Sequence, residues 1–481
     1  MYTFKTKPYQ HQKQVFNETK QKKVIALFME MGTGKSKVAL DTAGFLFKNK
    51  DIDSLLIIAP KGVYDNWSKI EIERHLNVFY NICTWQSNLS KKFMAELESI
   101  IVDEKREKNK LHIFVMNIEA LSTNKGFAYA RAFLKRNPKN MVIVDESTMI
   151  KNRKAIRSKN VIKLGRLADY KRILTGSPIT KSPLDLFSQC DFLEEKLLGF
   201  SSFYAFQSRY AIIIQKNMGH RSFRDIAGYQ NLEELNSKLD KFCYRVLKKD
   251  CLDLPPKIYL KREVSLTNEQ LKAYTEMKKF ALTQLENGEL STTQSILTQI
   301  LRLQQILSGF IKTDDATIQE LASNRIQSLI EILDETTGKV IIWATFIFDI
   351  KKIEKMLSEK YGKDSVATFF GETPQENRQE IVNRFQNSKS PLKYFVGQSR
   401  TGGYGITLTE ANTVIYYSNS YDLEVRLQSE DRAHRIGQKN KVTYVDLISP
   451  KTIDEKILKA LKNKINLAQK TLGEETRDWF V

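Results

Sequence analysis

The chain is poor in the residues that build metal sites and disulfide frameworks. Its 481 residues hold four cysteines, Cys83, Cys190, Cys243 and Cys251, with no C-x-x-C spacing, and five histidines that form no ligand cluster with them. That argues against a zinc site and against a disulfide scaffold. Free thiols in a reducing cytoplasm are expected instead. No apolar run approaches the ~20 residues that a membrane span requires. The longest, around Val340 to Phe348, is interrupted by Thr345. The opening MYTFKTKPYQHQ lacks the apolar core of a secretory signal. Low-complexity tracts and short-period repeats are absent as well. Acid is in deficit: 56 Asp and Glu stand against 76 Lys and Arg, a net charge of +20. That balance favours an anionic polymer, most simply nucleic acid, over a merely solvated basic surface.

What is present is a foldable composition. Apolar content of 41% and charged content of 27% are ordinary for a globular protein. The length exceeds what one hydrophobic core commonly fills, so two or more domains are expected. Residues 1 to about 180 alternate apolar runs with amphipathic stretches. Ser54 to Pro60, Leu111 to Asn117, Met141 to Ser147 and Arg172 to Pro178 are strand-like, each ending in polar or turn residues. Buried strands with functional residues at their carboxyl ends are the pattern of an open parallel α/β sheet. From about 181 to 247 the pattern reads as helical, and Leu254 to Pro256 break the chain. A second helical stretch covers 265 to 335. Alternation then returns, with strands at Lys339 to Phe346, Lys393 to Ser399, Thr413 to Asn419 and Val442 to Ile448. The stretch from Thr452 to Leu472 reads as a Lys-rich amphipathic helix or pair.

Two loops carry the chemistry of the first half. MEMGTGKS (Met29 to Ser36) follows the apolar Val24 to Phe28 and precedes an amphipathic segment. A Gly-rich loop between strand and helix is a phosphate cradle. Backbone N–H groups of Gly32, Thr33, Gly34, Lys35 and Ser36 would hold phosphates, Lys35 would neutralise them, and the Ser36 hydroxyl would ligate magnesium. Met29 stands where the strict pattern has its first glycine. VIVDEST supplies Asp145 at a strand end, suited to a magnesium ligand, and Glu146, suited to orienting an attacking water. PKGVYDNW offers Lys61 for a backbone-phosphate contact and Trp67 for stacking, with Trp67 as a packing residue the plain alternative.

The second half adds a glycine cluster and an arginine pair. Gly402, Gly403 and Gly405 in SRTGGYGITLTEAN allow close backbone approach to a polyanion. In QSEDRAHRIGQ, Arg432 and Arg435 are expected one turn apart on one helical face. Guanidinium groups delivered to a γ-phosphate would stabilise transition-state charge; surface salt bridges to Glu430 or Asp431 are the alternative.

Taken in order, these stretches resemble the motifs of superfamily 2 helicases, and more closely the Swi/Snf family of DNA translocases, over nearly the whole chain. KPYQHQ resembles the adenine-reading Q motif, with Gln12 the chosen contact and Gln10 the alternative. MEMGTGKS resembles motif I. PKGVYDNW and VMNIEAL resemble DNA-side motifs, the latter bringing Asn117. DESTMIKN resembles motif II, with Lys151 and Asn152 as its extension, and LTGSP resembles motif III. KVIIWATF (with Thr345), the segment opening at Gly371, and the Gly-rich loop with Arg400 and Thr401 resemble motifs of the second lobe. DRAHRIGQ resembles motif VI in its Swi/Snf form and is the most specific string. The chain departs from the family pattern at Thr148, where His is usual, at Tyr421-Asp422-Leu423, where Trp-Asn-Pro is usual, and at Thr407, where Asn is frequent.

The resemblance implies an α/β chain of two RecA-like parallel-sheet lobes in tandem with helical insertions. The first lobe would span 1–253 with a helical protrusion at about 181–247. The second would span 254–481 with a protrusion at about 265–312 and C-terminal helices at about 452–472. It further implies a DNA-stimulated ATPase using ATP and magnesium. Gln12, Gly32, Thr33, Gly34, Lys35, Ser36, Gly403 and Gly405 would bind nucleotide, and Lys35, Asp145, Glu146, Gln428, Arg432 and Arg435 would serve catalysis. Lys61, Trp67, Asn117, Lys151, Asn152, Thr345, Gly371, Arg400 and Thr401 would face DNA. Duplex DNA, bound without sequence preference and weakly at high salt, is the expected partner. Single-stranded or branched DNA is the alternative, for a strand-separating or branch-migrating helicase or a polymerase-associated displacing factor. A monomer in the cytoplasm, with no membrane contact, is expected; the host cytoplasm would apply to a phage-encoded member.

Overall fold

The computed structural model describes all residues except 1, 103–106, 108, 219–220, 287–292, 313–316, 403–405 and 475–481. The described residues divide into two compact units: 2–215 with 224–253 and 467–474, and Leu254–Asn466 with the flanks of the 216–223 segment. One break between the units falls between Asp253 and Leu254.

The strands are β1 (Val24–Met29), β2 (Ser54–Ala59), β3 (Tyr80–Thr84), β4 (Leu111–Asn117), β5 (Asn140–Asp145), β6 (Tyr170–Leu174), β7 (Ala211–Met218), β8 (Arg221–Tyr229), β9 (Cys243–Val246), β10 (Lys257–Glu263), β11 (Phe310–Lys312), β12 (Ile318–Glu320), β13 (Lys339–Ala344), β14 (Val366–Phe369), β15 (Tyr394–Gln398), β16 (Ala411–Tyr416) and β17 (Val442–Ile448). The first unit holds a parallel sheet in the order β3-β4-β2-β5-β6-β1-β9, the second a parallel sheet in the order β10-β17-β16-β13-β15-β14. Both are RecA-like α/β lobes. The sequence of β1 shows why both faces are covered: Ala26 and Phe28 join one core cluster, Ile25, Leu27 and Met29 the other. Period-2 alternation thus sends an all-apolar strand to two separate cores.

One expected helical region is partly strand. Within 181–247, helices Leu186–Leu193, Phe203–Tyr210 and Leu232–Leu239 flank the hairpin β7–β8 and the sheet strand β9. Three consecutive β-branched residues, Ile212, Ile213 and Ile214, explain the departure, since a branched Cβ fits a pleated strand better than a helix. The region 265–312 contains helices Asn268–Glu286 and Thr293–Ser308, as expected, followed by the small hairpin β11–β12. The last element is one helix, Ile453–Thr471. Among the described residues no helix is long and apolar enough to cross a membrane.

Candidate functional site

The Gly-rich loop leaves β1 at the carboxyl edge of the first sheet and enters the helix Lys35–Lys48. Gly34 is left-handed (φ 93°), and a Cβ there would lie 2.2 Å from Gln12 Nε2. Only glycine meets both demands. The preceding helix, Gln10–Thr19, is tied to the loop by two contacts to the Thr33 carbonyl: Gln12 Nε2 donates at 3.1 Å and His11 Nε2 lies at 2.8 Å. Gln12 Oε1 accepts from the Tyr9 amide at 3.1 Å. Both ends of the Gln12 side chain are therefore engaged in holding the turn, and the residue is buried. Gln10, two positions earlier, is exposed. Lys35 is buried at the start of the helix, and Ser36 is half-buried.

The acid pair ends β5, separated from β1 in the sheet by β6 alone. Asp145 is buried, accepting from the Trp67 indole at 2.8 Å and from the Glu146 amide at 3.0 Å. Burial pushes its carboxyl above the ordinary carboxylate range; the Trp67 N–H and then the Lys35 charge partly offset this. Glu146 sits in the left-handed region (φ 47°, ψ 60°), which a residue with a side chain rarely adopts. Strain of this kind persists where the surroundings over-determine it. Its carboxylate accepts from the Thr175 hydroxyl at 3.3 Å, at the end of β6.

The segment after Glu146 is cross-linked to the loop after β6. Ser147 Oγ donates to Gln189 Oε1 at 2.7 Å, while Gln189 Nε2 donates to the carbonyls of Pro178 and Asp185, each at 2.8 Å. Lys151 Nζ donates to Thr180 Oγ1 at 2.6 Å. Thr148, the departure from the motif, is buried beside these links. Arg245 adds a brace: its Nη1 donates to the carbonyls of Phe28 and Gly176, each at 2.9 Å, and its Nε to Glu474 at 2.7 Å. Gln189 and Arg245 carried no signal in the sequence, because each joins several segments through a mix of side-chain and backbone partners that only the fold brings together.

Two expectations on the first unit change. Trp67 is fully buried and spends its only donor on Asp145, so it does not offer a face for stacking on a base. Gln12 gives one N–H and one oxygen lone pair to the local turn, while Gln10, the alternative in the Q-like segment, is exposed. Lys61 is exposed and Asn117 half-buried, and both are joined through Glu119: its Oε2 accepts from the Lys61 amide at 3.1 Å and from Asn117 Nδ2 at 3.2 Å. Glu119 had not been singled out. Asn152 is exposed, and its Oδ1 accepts from the Lys154 amide at 3.0 Å.

In the second unit, Arg432 and Arg435 do not lie on a helix. The helix Leu423–Glu430 ends before them, and successive turns carry the chain onward. They nevertheless converge: Arg432 Nη1 and Arg435 Nη1 donate to the same carbonyl, Ile406, at 3.1 and 3.3 Å. Arg432 Nε also donates to the Gln428 carbonyl at 2.9 Å. Gln428 is buried, and among the described residues its side-chain oxygen has no hydrogen-bond donor. Glu430, the last residue of that helix, has a buried carboxylate that accepts from Lys257 Nζ at 3.0 Å, Tyr259 Oη at 2.8 Å and Arg426 Nε at 2.9 Å. Arg426 in turn makes a bidentate pair with Asp446 at 2.6 and 3.0 Å. Although burial alone would raise the Glu430 carboxyl, Lys257 and Arg426 hold it below the ordinary range.

Gly403 and Gly405 lie outside the described residues. Thr345 follows β13, Gly371 follows β14, and Arg400 and Thr401 follow β15, all at carboxyl ends of one sheet. Arg400 is exposed, 3.7 Å from Asp422; Gly371 faces open space. Thr345 and Thr401 are half-buried and bonded to Ser418 and Gln398.

Among the described residues no three His, Cys, Asp or Glu side chains cluster as a metal site. A cation held by Ser36 and Asp145 would draw its other ligands from phosphate oxygens and water, which is the habit of magnesium. The hard oxygen donors present fit that ion.

A family model described as SNF2-related domain matches residues 9–309, and one described as Helicase conserved C-terminal domain matches 324–437. An uncharacterized ATP-dependent helicase of Mycoplasma genitalium is 28% identical over 93% of this chain and 40% of its own length. A Caenorhabditis elegans homolog of SWI/SNF-related matrix-associated actin-dependent regulator of chromatin subfamily A-like protein 1 is 28% identical over 98% of this chain and 62% of its own. The chain thus spans less than two thirds of these relatives. Among solved structures, the Sulfolobus solfataricus SWI2/SNF2 ATPase core in complex with dsDNA is 26% identical with a TM-score of 0.42, over 95% of this chain and 91% of that one.

Proposed function

Because the chain belongs to the SNF2-related family of superfamily 2 helicase-like ATPases, we propose that it is an ATP-driven motor that moves along duplex DNA. The observation carrying this reading is the meeting of three parts in the first lobe: a glycine-turned loop, the Lys35 charge acting on Asp145, and a strained Glu146 beside it. Backbone N–H groups of Gly32 to Ser36 would hold the phosphates, with Lys35 neutralising them. Ser36 and Asp145 would hold magnesium, which when bound supplies Lewis-acid stabilisation of the phosphoryl oxygens. Glu146 would orient the attacking water and take its proton. Arg432 and Arg435 would give guanidinium groups to the developing charge, and Gln428 would help place the water.

The basic surface would grip phosphates without reading bases, through Lys61, Asn117, Lys151, Asn152, Thr345, Gly371, Arg400 and Thr401. Affinity would fall steeply with salt. The protein would act as a monomer, in the cytoplasm. The test is ATP hydrolysis with no nucleic acid, then with duplex DNA, single-stranded DNA and RNA, with Lys35→Ala and Glu146→Gln alongside. Duplex stimulation lost in both variants supports the reading. Stimulation by single strands or RNA alone moves the protein to the strand-separating class, and wild-type turnover in Glu146→Gln overturns the assigned base.

A further inference from the structure

The residues beyond the acid pair carry charge that the proposed contacts leave unused. From Ser147 to Ala168 there are seven Lys and Arg residues and no Asp or Glu, and a second acid-free stretch runs from Lys196 to Arg224. The first unit brings the two stretches together at Arg153. Its guanidinium carbon lies 4.4 Å from the ring centre of Phe203 and 5.0 Å from that of Tyr204. Phe203 packs edge-on against Phe187 at 5.6 Å, at the margin of the lobe's core, which fixes the platform to the fold. Tyr204 is 65% exposed.

The neighbouring polar groups each have a partner within the protein. Lys151 Nζ is bonded to Thr180, Asn152 Oδ1 caps the Lys154 amide, and Arg157 Nε donates to the Met149 carbonyl at 3.0 Å. Among the described residues, Arg153 and Lys154 have no carboxylate partner. A guanidinium held by ring faces keeps its full charge and its fork of N–H donors for a ligand. With Arg153 over its ring, Tyr204 offers its hydroxyl rather than a sandwich for an unpaired base. N–H and O–H donors drawn from two acid-free stretches of sequence match phosphate oxygens spaced along a polymer.

We propose that Arg153, Lys154 and Tyr204 form a contact for the phosphodiester backbone of duplex DNA, extending the track beyond Lys151 and Asn152. The assignment rests on the motor reading for its partner. It is tested by fluorescence anisotropy, without nucleotide, on labelled duplex and single-stranded DNA of equal length over a salt series. Arg153→Glu and Tyr204→Ala are compared with Lys92→Glu, an equal charge change on the exposed helix Lys91–Ile101. Arg153→Glu is expected to weaken duplex binding roughly tenfold and to reduce the salt slope by about 1, and Tyr204→Ala to weaken it about threefold. Lys92→Glu should stay within about twofold, with ATP turnover unchanged, because unspecific charge effects are small and screened. Duplex binding by Arg153→Glu equal to that of Lys92→Glu overturns the proposal, as does a loss confined to single strands. Either result leaves the motor reading intact, since that reading is decided by duplex-stimulated turnover of the wild type.

Discussion

The indole nitrogen of Trp67 donates to Asp145 at 2.8 Å inside the first lobe, where neither side chain sees appreciable solvent. A residue from a DNA-side motif thus holds the carboxylate assigned to magnesium. Trp67→Phe keeps most of the packing but removes the donor. Leaving a buried carboxylate short of a hydrogen bond should cost about 1–3 kcal/mol. The Asp145 carboxyl, already raised by burial, should rise further. The deprotonated form is then lost at a higher pH, so the acid limb of the ATPase profile should shift to higher pH and more magnesium should be needed. Magnesium titrations at pH 6 and 8 read this. An effect confined to DNA affinity would return Trp67 to a stacking role.

Ser147 and Gln189 are both buried, and their mutual bond ties the segment after the acid pair to the loop after β6. Gln189→Leu strands Ser147 and two carbonyls, and should destabilise by roughly 2–4 kcal/mol. Ser147→Ala with Gln189→Leu should cost less than the two single changes added, with a coupling of about 0.5–3 kcal/mol in a double-mutant cycle. Additive melting shifts would show that the bond does not join the two segments.

Asp349, in the first turn of the helix Ile347–Tyr361, has its carboxylate buried beside the Ser308 hydroxyl. Burial pushes its carboxyl up to about 7, with nearby Ser308, Arg325 and Lys352 offsetting only part of the effect. A carboxyl whose folded pKa exceeds its unfolded value binds an extra proton when folded. Its destabilising contribution is therefore absent below the unfolded value, grows as pH rises to about 7, and is complete above it. Asp349→Asn should stabilise the fold at pH 8 by an amount on the order of 1–3 kcal/mol, read as a higher melting temperature, and by much less at pH 4.5. A gain that is equal at both values would contradict the titration.

How much of this was legible in the chain depended on range. Strands such as Ser54–Ala59 and Lys339–Ala344 declared themselves because, past a polar first residue, each is a short continuous apolar run, as a buried parallel strand is. The phosphate loop was legible because its glycines, lysine and serine act through local backbone geometry. The hairpin Ala211–Tyr229 was hidden among helical neighbours, and β3 and β14 are too short and mixed to signal. At the site, residue types were readable and their commitments were not. Trp67 reads equally as a stacking or a packing group until Asp145 is seen beside it. Arg432 and Arg435 share a helical spacing, yet the helix ends at Glu430 and both guanidinium groups turn to the Ile406 carbonyl, a partner that spacing does not reveal.

Gln10 and Gln12 pose the same question two residues apart. Gln12 joins Tyr9 to the Thr33 carbonyl and fills the space that the left-handed Gly34 leaves open. Its loss should loosen the loop itself: Gln12→Ala is expected to lower stability by about 1–2 kcal/mol and to weaken every nucleotide alike. Gln10 is exposed at the start of the same helix, with its amide available to a base edge. Gln10→Ala should leave stability within about 0.5 kcal/mol. It should raise KM for ATP while sparing kcat, and narrow the preference for ATP over GTP. Steady-state kinetics with both nucleotides decide the matter. Lost discrimination in Gln12→Ala, with Gln10→Ala indistinguishable from wild type, would return base reading to Gln12 and require its side chain to leave the turn when nucleotide binds.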